Sequence, residues 1–226
     1  MRYMIHCAPK RLWYVEDFLI PSMLEQGIPK EEISVYCDWK RLGNLFACMD
    51  CFRYCGEHPA DGTWHLQDDI ILSRQFSEYT KHYDNGIVAG NVMKEWGPNW
   101  LLFGSQPVQE LWYSFQCIRI PDEIAGECAY WFYSDASKRT SDKYRNRVSR
   151  NKHDDDFFRF FLLEKYPDIR VRNLNPNIVD HIDYMLGGSL INGERNKAVN
   201  RVAYWKDEDL IRKLENDLSN YKKQRG

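Results

Sequence analysis

Thr63-Trp64-His65-Leu66-Gln67-Asp68-Asp69-Ile70-Ile71-Leu72 sets two adjacent carboxylates between two short apolar runs, 63–66 and 70–72. Runs of that length are the size of buried strands rather than helices. Upstream, residues 2–8 are apolar-rich and run into Pro9; a helical pattern then covers 12–26 and is closed by Gly27 and Pro29. Residues 33–37 form a second apolar run ending at Asp38, and 45–54 are helix-compatible up to Gly56. Downstream of the acids, 74–83 reads as helix and 86–92 as another apolar segment. Strands alternating with helices over the first 92 residues predict a parallel, doubly wound sheet. Ligands of such sheets bind where loops leave the carboxyl ends of the strands, and Asp38, Asp68 and Asp69 all fall there. Residues 1–92 therefore read as a nucleotide-binding half.

Residues 97–135 change character: they are rich in Trp, Tyr and Phe, with strand-like runs at 112–120 and 128–133. An antiparallel or mixed extension of the sheet is expected there. Residues 137–152 are almost purely polar, with seven basic side chains against the single acid Asp142. Asp154-Asp155-Asp156 precede a helical run at 157–166, and acids in a helix's first turn are favoured by its dipole and by capping. Residues 170–190 read as irregular, and 207–222 as an amphipathic helix with Leu210, Leu214 and Leu218 on one stripe, which suits a dimer contact or an intramolecular one. The expectation is one α/β domain over 1–226, with an acceptor and catalytic half at 93–198 and a C-terminal helix within 199–226.

The chain's 226 residues, 43% hydrophobic, are enough for one sizeable core. Its 31 basic and 33 acidic residues nearly cancel, so any attraction to nucleic acid or membrane must be local. Residues 1–9 lack a secretion signal and no window suits a membrane span, which predicts a cytoplasmic protein. Seven cysteines without a disulfide-scaffold composition fit reduced thiols. Cys48, Cys51, Cys55 and His58 have zinc-like spacing, but on one helix the outer two stand about 15 Å apart, so a buried stripe is the better reading.

Two carboxylates leaving a buried strand need a partner, because buried charge is costly unless paired or coordinated. Mn2+ or Mg2+ would suit their oxygens and those of a diphosphate; an exposed turn or cap would also accommodate them. His181 can complete a carboxylate metal site, and Gly187-Gly188-Ser189 lets backbone N–H groups approach a pyrophosphate. Trp96, Trp100, Trp112 and Tyr113 form an aromatic cluster in which core packing and sugar stacking compete; Trp100 and Trp112 are the acceptor candidates.

The order of strand-end Asp38, Gln67-Asp68-Asp69, the acidic helix start Asp154–Asp156, and the late Pro176, His181 and Gly188-Ser189 resembles the GT-A glycosyltransferases with a DxD-type motif, over about residues 1–195. The resemblance implies a Rossmann-related, mixed but mostly parallel sheet flanked by helices. It implies that Asp69 chelates the metal, that Asp68 meets the donor ribose or the metal, and that His181 is the third ligand. Asp38 would meet the nucleoside, and residues 7–11, with Ala8 and Arg11, would form the base-binding loop. Asn44, Gln67, Gly187, Gly188 and Ser189 complete the expected donor set, Gln67 standing where many relatives carry a third acid. A base at the start of a late helix, as in inverting members, points first to Asp155 and next to Asp154. The donor expected is a nucleotide sugar, a UDP-sugar first.

The basic stretch suits a solvated loop, a lid over a diphosphate, or contacts to nucleic-acid phosphates through residues such as Arg145 and Arg147. Small phage enzymes that glycosylate hydroxymethylated pyrimidines are similar, so a hydroxymethylated base in duplex DNA is the first acceptor expected, ahead of a surface glycan or small molecule. A metal-dependent nuclease or nucleotidyltransferase built on the same acids, and a non-catalytic binding module, are the readings from other classes.

Overall fold

The computed structural model describes residues 1–81, 86–90, 104–107, 115–134, 154–174, 177–187 and 207–225. Its first half alternates as the sequence predicts. Strand β1 (Arg2–Cys7) leads through a 3-10 turn (Pro9–Arg11) into a broken helix: α1 (Leu12–Tyr14), a π segment (Val15–Leu19) and α2 (Ile20–Glu25). Pro21 lies in the first turn of α2, where its missing N–H and its ring cannot fit a continuous ladder; the wider π turn lies immediately before it. Then follow β2 (Ile33–Cys37), α3 (Asn44–Glu57), β3 (Thr63–Gln67), β4 (Ile70–Leu72), α4 (Phe76–Thr80) and β5 (Ile87–Ala89).

The later elements are β6 (Gly104–Pro107), β7 (Cys117–Ile120), α5 (Asp122–Phe132), α6 (Asp154–Lys165), β8 (Arg170–Asn173), β9 (Val179–His181) and α7 (Glu208–Arg225). The main sheet has the order β2-β1-β3-β7-β5-β8-β6. β1 pairs in parallel with β2 and β3, and β5 with β8; β7 is antiparallel to β3 and β5, and β6 is antiparallel to β8. Five strands thus run one way and two the other, the mixed but mostly parallel sheet expected, with β4 and β9 paired as a small second sheet.

Side chains alternate across a strand, so each central strand feeds two cores. Met4, Ile118, Ile120, Ile87 and Ala89 face the side covered by α3, α5 and α6. Tyr3, Ile5, Trp64, Leu66 and Val88 face the side covered by α1, α2, the β4–β9 pair and α7. Gly56 of α3 and Gly126 of α5 meet at backbone contact: a Cβ on Gly56 would lie 2.6 Å from the Gly126 Cα.

Four sequence expectations need correction. Residues 128–133 are not a strand but most of the end of α5, since Ala125, Cys128 and Ala129 repeat at helical spacing and are fully buried. Among the described residues, the helix expected over 74–83 is only Phe76–Thr80, and the strand expected over 112–120 is only Cys117–Ile120. Within 170–190, expected to be irregular, the described residues include two strands: β8 pairs Val171 with Ile87 and β9 pairs His181 with Ile70, pairings that no local periodicity in those segments displays. The stripe on α7 is spent within the chain, Leu214 and Leu218 being buried and Tyr221 stacking on Trp13 at 4.9 Å. Among the described residues no helix is long and apolar enough to cross a membrane.

Candidate functional site

The carboxyl ends of β1, β2 and β3 lie side by side, so the segments leaving them meet on one edge of the sheet. β3 ends at Gln67, half-buried, whose backbone N–H donates to the Gln116 carbonyl at 3.1 Å. Asp68 and Asp69 form the turn between β3 and β4, and both side chains are buried. The Ala8 N–H, just past β1, donates to Asp68 Oδ2 at 2.6 Å. Arg11, 4% exposed, donates from Nη1 to Asp68 Oδ1 at 3.0 Å and to Asp69 Oδ2 at 2.5 Å. His181 of β9 brings Nε2 to 3.1 Å from the same Asp69 Oδ2, and Asp183 Oδ2 lies 3.9 Å from that same nitrogen. The Ile182 N–H donating to the Asp69 carbonyl and the Tyr14 hydroxyl donating to the Ile70 carbonyl hold the turn. Asp69 Oδ1 is buried with no hydrogen-bond partner.

The electrostatics follow from this crowding. Burial, then the charge of Asp69, lifts the Asp68 carboxyl to about 6 against the pull of Arg11. For Asp69 burial acts upward too, but His181 and Arg11 outweigh it and hold the carboxyl well below the usual range. His181 is disfavoured as a cation by burial, yet Asp69 overrides this and moves its imidazole above the usual value.

A second group of residues lies beyond β2. Asp38 accepts the N–H of Leu42 on Oδ1 at 2.9 Å and of Gly43 on Oδ2 at 3.0 Å, closing the turn that starts α3. Gly43, at φ +92°, suits that turn as few other residues would. Asn44, first in α3, donates from Nδ2 to Asp154 Oδ1 at 2.7 Å. Asp154 is buried at the start of α6, and burial, with Asp155 next to it, raises its carboxyl to about 8. Asp155, half-buried, accepts the Asp156 N–H at 2.9 Å.

The structure thus gathers Ala8, Arg11, Asp68, Asp69 and His181 into one cluster and Asn44 with Asp154 into another. Arg11, expected on a base-binding loop, pairs with both acids as their internal counter-ion. Asn44, expected on the donor, holds Asp154. Asp183 and Tyr14 were not anticipated; a Tyr among apolar helix residues and an Asp two places past His181 carry no distinctive local signal. Gly187 is exposed at φ +101°. Gly188, Ser189, Trp96, Trp100, Trp112, Tyr113, Arg145 and Arg147, with the rest of 137–152, lie outside the described residues. Cys48, Cys51 and Cys55 form the buried stripe on α3, while His58 ends that helix and stacks on Tyr54. Among the described residues no group of three His, Cys, Asp or Glu side chains is arranged to hold a metal ion.

No protein-family profile matches the chain, and no curated protein matches it. A crystal structure of the galactosyltransferase LgtC in complex with donor and acceptor sugar analogs resembles it with a TM-score of 0.45 at 10% identity, over 80% of this chain and 87% of that one. A likeness of that degree carries no functional inference.

Proposed function

We propose that the chain is a glycosyltransferase that takes a nucleotide sugar, a UDP-sugar first, and joins the sugar to an acceptor hydroxyl. The observation supporting this most directly is the buried Asp68–Asp69 turn at the carboxyl end of β3, closed upon by Arg11 and His181 and leaving Asp69 Oδ1 unpartnered. An unpartnered buried carboxylate oxygen beside an imidazole suits a hard divalent cation. Asp69 and His181 are the residues that would hold Mn2+ or Mg2+, and Asp68 belongs to the same oxygen set. When bound, such an ion supplies Lewis-acid stabilisation of charge on a departing diphosphate.

The chain's own residues provide the rest. Arg11 keeps two adjacent carboxylates together by neutralising one of their charges. Asp154 is the stronger choice for the base than Asp155: Asn44 orients it, and burial raises its carboxyl to about 8, which makes its ionised form a strong proton acceptor. In the reaction the acceptor oxygen attacks the anomeric carbon, the bond to the diphosphate oxygen breaks with its electron pair, and the acceptor proton passes to Asp154. A base on the side opposite the leaving group implies inversion of configuration. For the acceptor, the seven basic residues in 137–152 favour a hydroxymethylated base in DNA.

Calorimetric binding of a nucleoside-diphosphate panel, with and without Mn2+, tests the reading on the wild type and on Asp69→Ala. Metal-dependent UDP binding that disappears in the variant is expected. Absence of nucleotide binding with every metal would refute it. Product formation on hydroxymethylated duplex, weakening steeply with salt, tests the acceptor.

A further inference from the structure

β1 and β2 end on cysteines that stand opposite one another in register, Cys7 against Cys37. Neighbouring strands lie about 4.8 Å apart, inside the Cα separation of about 4.4–6.8 Å that a disulfide spans. Residues in register on parallel strands project to the same face, so the two thiols stand side by side. Both are reduced. Cys7 is buried and donates its S–H to the Ala8 carbonyl at 3.2 Å, whereas Cys37 is only partly covered.

We infer that Cys7 and Cys37 are an oxidisable dithiol, closed to a disulfide by a peroxide, that governs the edge of the sheet where the nucleotide donor binds. Peroxide reaches the half-exposed Cys37 and forms a sulfenic acid with release of one water. The Cys7 sulfur then displaces that hydroxyl, forming the S–S bond and a second water. Two thiol sulfurs give up two electrons, and the peroxide is reduced to two waters. Burial raises both thiols above their ordinary range, so the neutral forms prevail and closure is slow, answering sustained rather than brief exposure.

Closure acts on the site through the next residue along each strand. Ala8 carries the N–H that holds Asp68, and Asp38, whose own N–H donates to the Cys7 carbonyl, shapes the start of α3. A disulfide fixes the Cβ separation near about 3.8 Å and the torsion about the S–S bond, so closure ties the two strand ends to one another. The S–H donated to the Ala8 carbonyl is lost as well. The effect on the donor rests on the glycosyltransferase reading; the dithiol does not.

The full chain is treated with hydrogen peroxide, digested without reduction, and mapped by mass spectrometry, and UDP affinity with Mn2+ is measured before and after. A Cys7–Cys37 linked peptide, reversed by dithiothreitol and absent in Cys37→Ser, is expected. UDP Kd should rise severalfold on oxidation, and peroxide should leave the Kd of Cys37→Ser unchanged. Absence of that linked peptide overturns the dithiol, and a linked protein with unaltered Kd overturns its control of the donor edge. If the reduced chain binds no nucleotide, the glycosyltransferase reading and the control of the donor fall together, while the peptide map still decides the dithiol.

Discussion

Asp154→Asn replaces a buried carboxyl by an amide of the same shape that still accepts the Asn44 hydrogen bond. The wild-type carboxyl titrates at about 8 in the folded state against 3.8 in the reference state. Between those values the folded chain holds the extra proton, so this group makes the wild type lose stability as pH rises through the window, and the loss is complete above about pH 8. At about 1.4 kcal/mol per unit, the full shift corresponds to about 6 kcal/mol. Asp155 shares the titration and the surroundings relax, so an expected gain on the order of 2–4 kcal/mol remains. Urea denaturation followed by tryptophan fluorescence, with the buried Trp64 and Trp131 as reporters, should show the variant about equal to wild type near pH 4 and more stable above about pH 8. The same variant should lose transfer activity by about 100-fold or more. A stability difference that does not change with pH would refute the buried, proton-holding Asp154, and undiminished transfer would remove it as the base.

Arg11→Met takes the counter-ion from Asp68 and Asp69 and leaves uncompensated buried charge, so unfolding free energy should drop by about 3–5 kcal/mol in urea melts; a loss below about 1 kcal/mol would show that Arg11 does not neutralise the pair. Gly126→Ala puts a Cβ 2.8 Å from the Gly56 Cα, a backbone atom that cannot step aside, so α3 and α5 must part at a cost of about 1–3 kcal/mol, read as a lowered Tm. An unchanged Tm would mean that the helices do not touch at this point.

Much of the site was readable before the fold. The short apolar runs place Asp38, Asp68 and Asp69 at strand ends because a run of five residues between turn signals suits a strand, and Asp154–Asp156 mark a helix start because a helix favours acids in its first turn. The α3 cysteines were separable from a zinc site by helical rise alone. The errors came where the local signal was ambiguous: aromatic residues at 128–133 suit a strand as well as a buried helix, and β8, with Arg170 and Arg172, lacks the continuous apolar run of a central strand.

The sequence by itself determined the periodic elements and the loops on which chemistry falls, since side-chain period, capping and turn preferences act over a few residues. Only the tertiary structure decided which charges share a site. Arg11 meets acids 57 and 58 positions away, Asn44 meets Asp154 across 110, and His181 reaches Asp69 because β9 pairs with β4. A buried charge takes its partner from whichever segment the sheet order places beside it, and that order is set by long-range strand pairing that leaves no local trace.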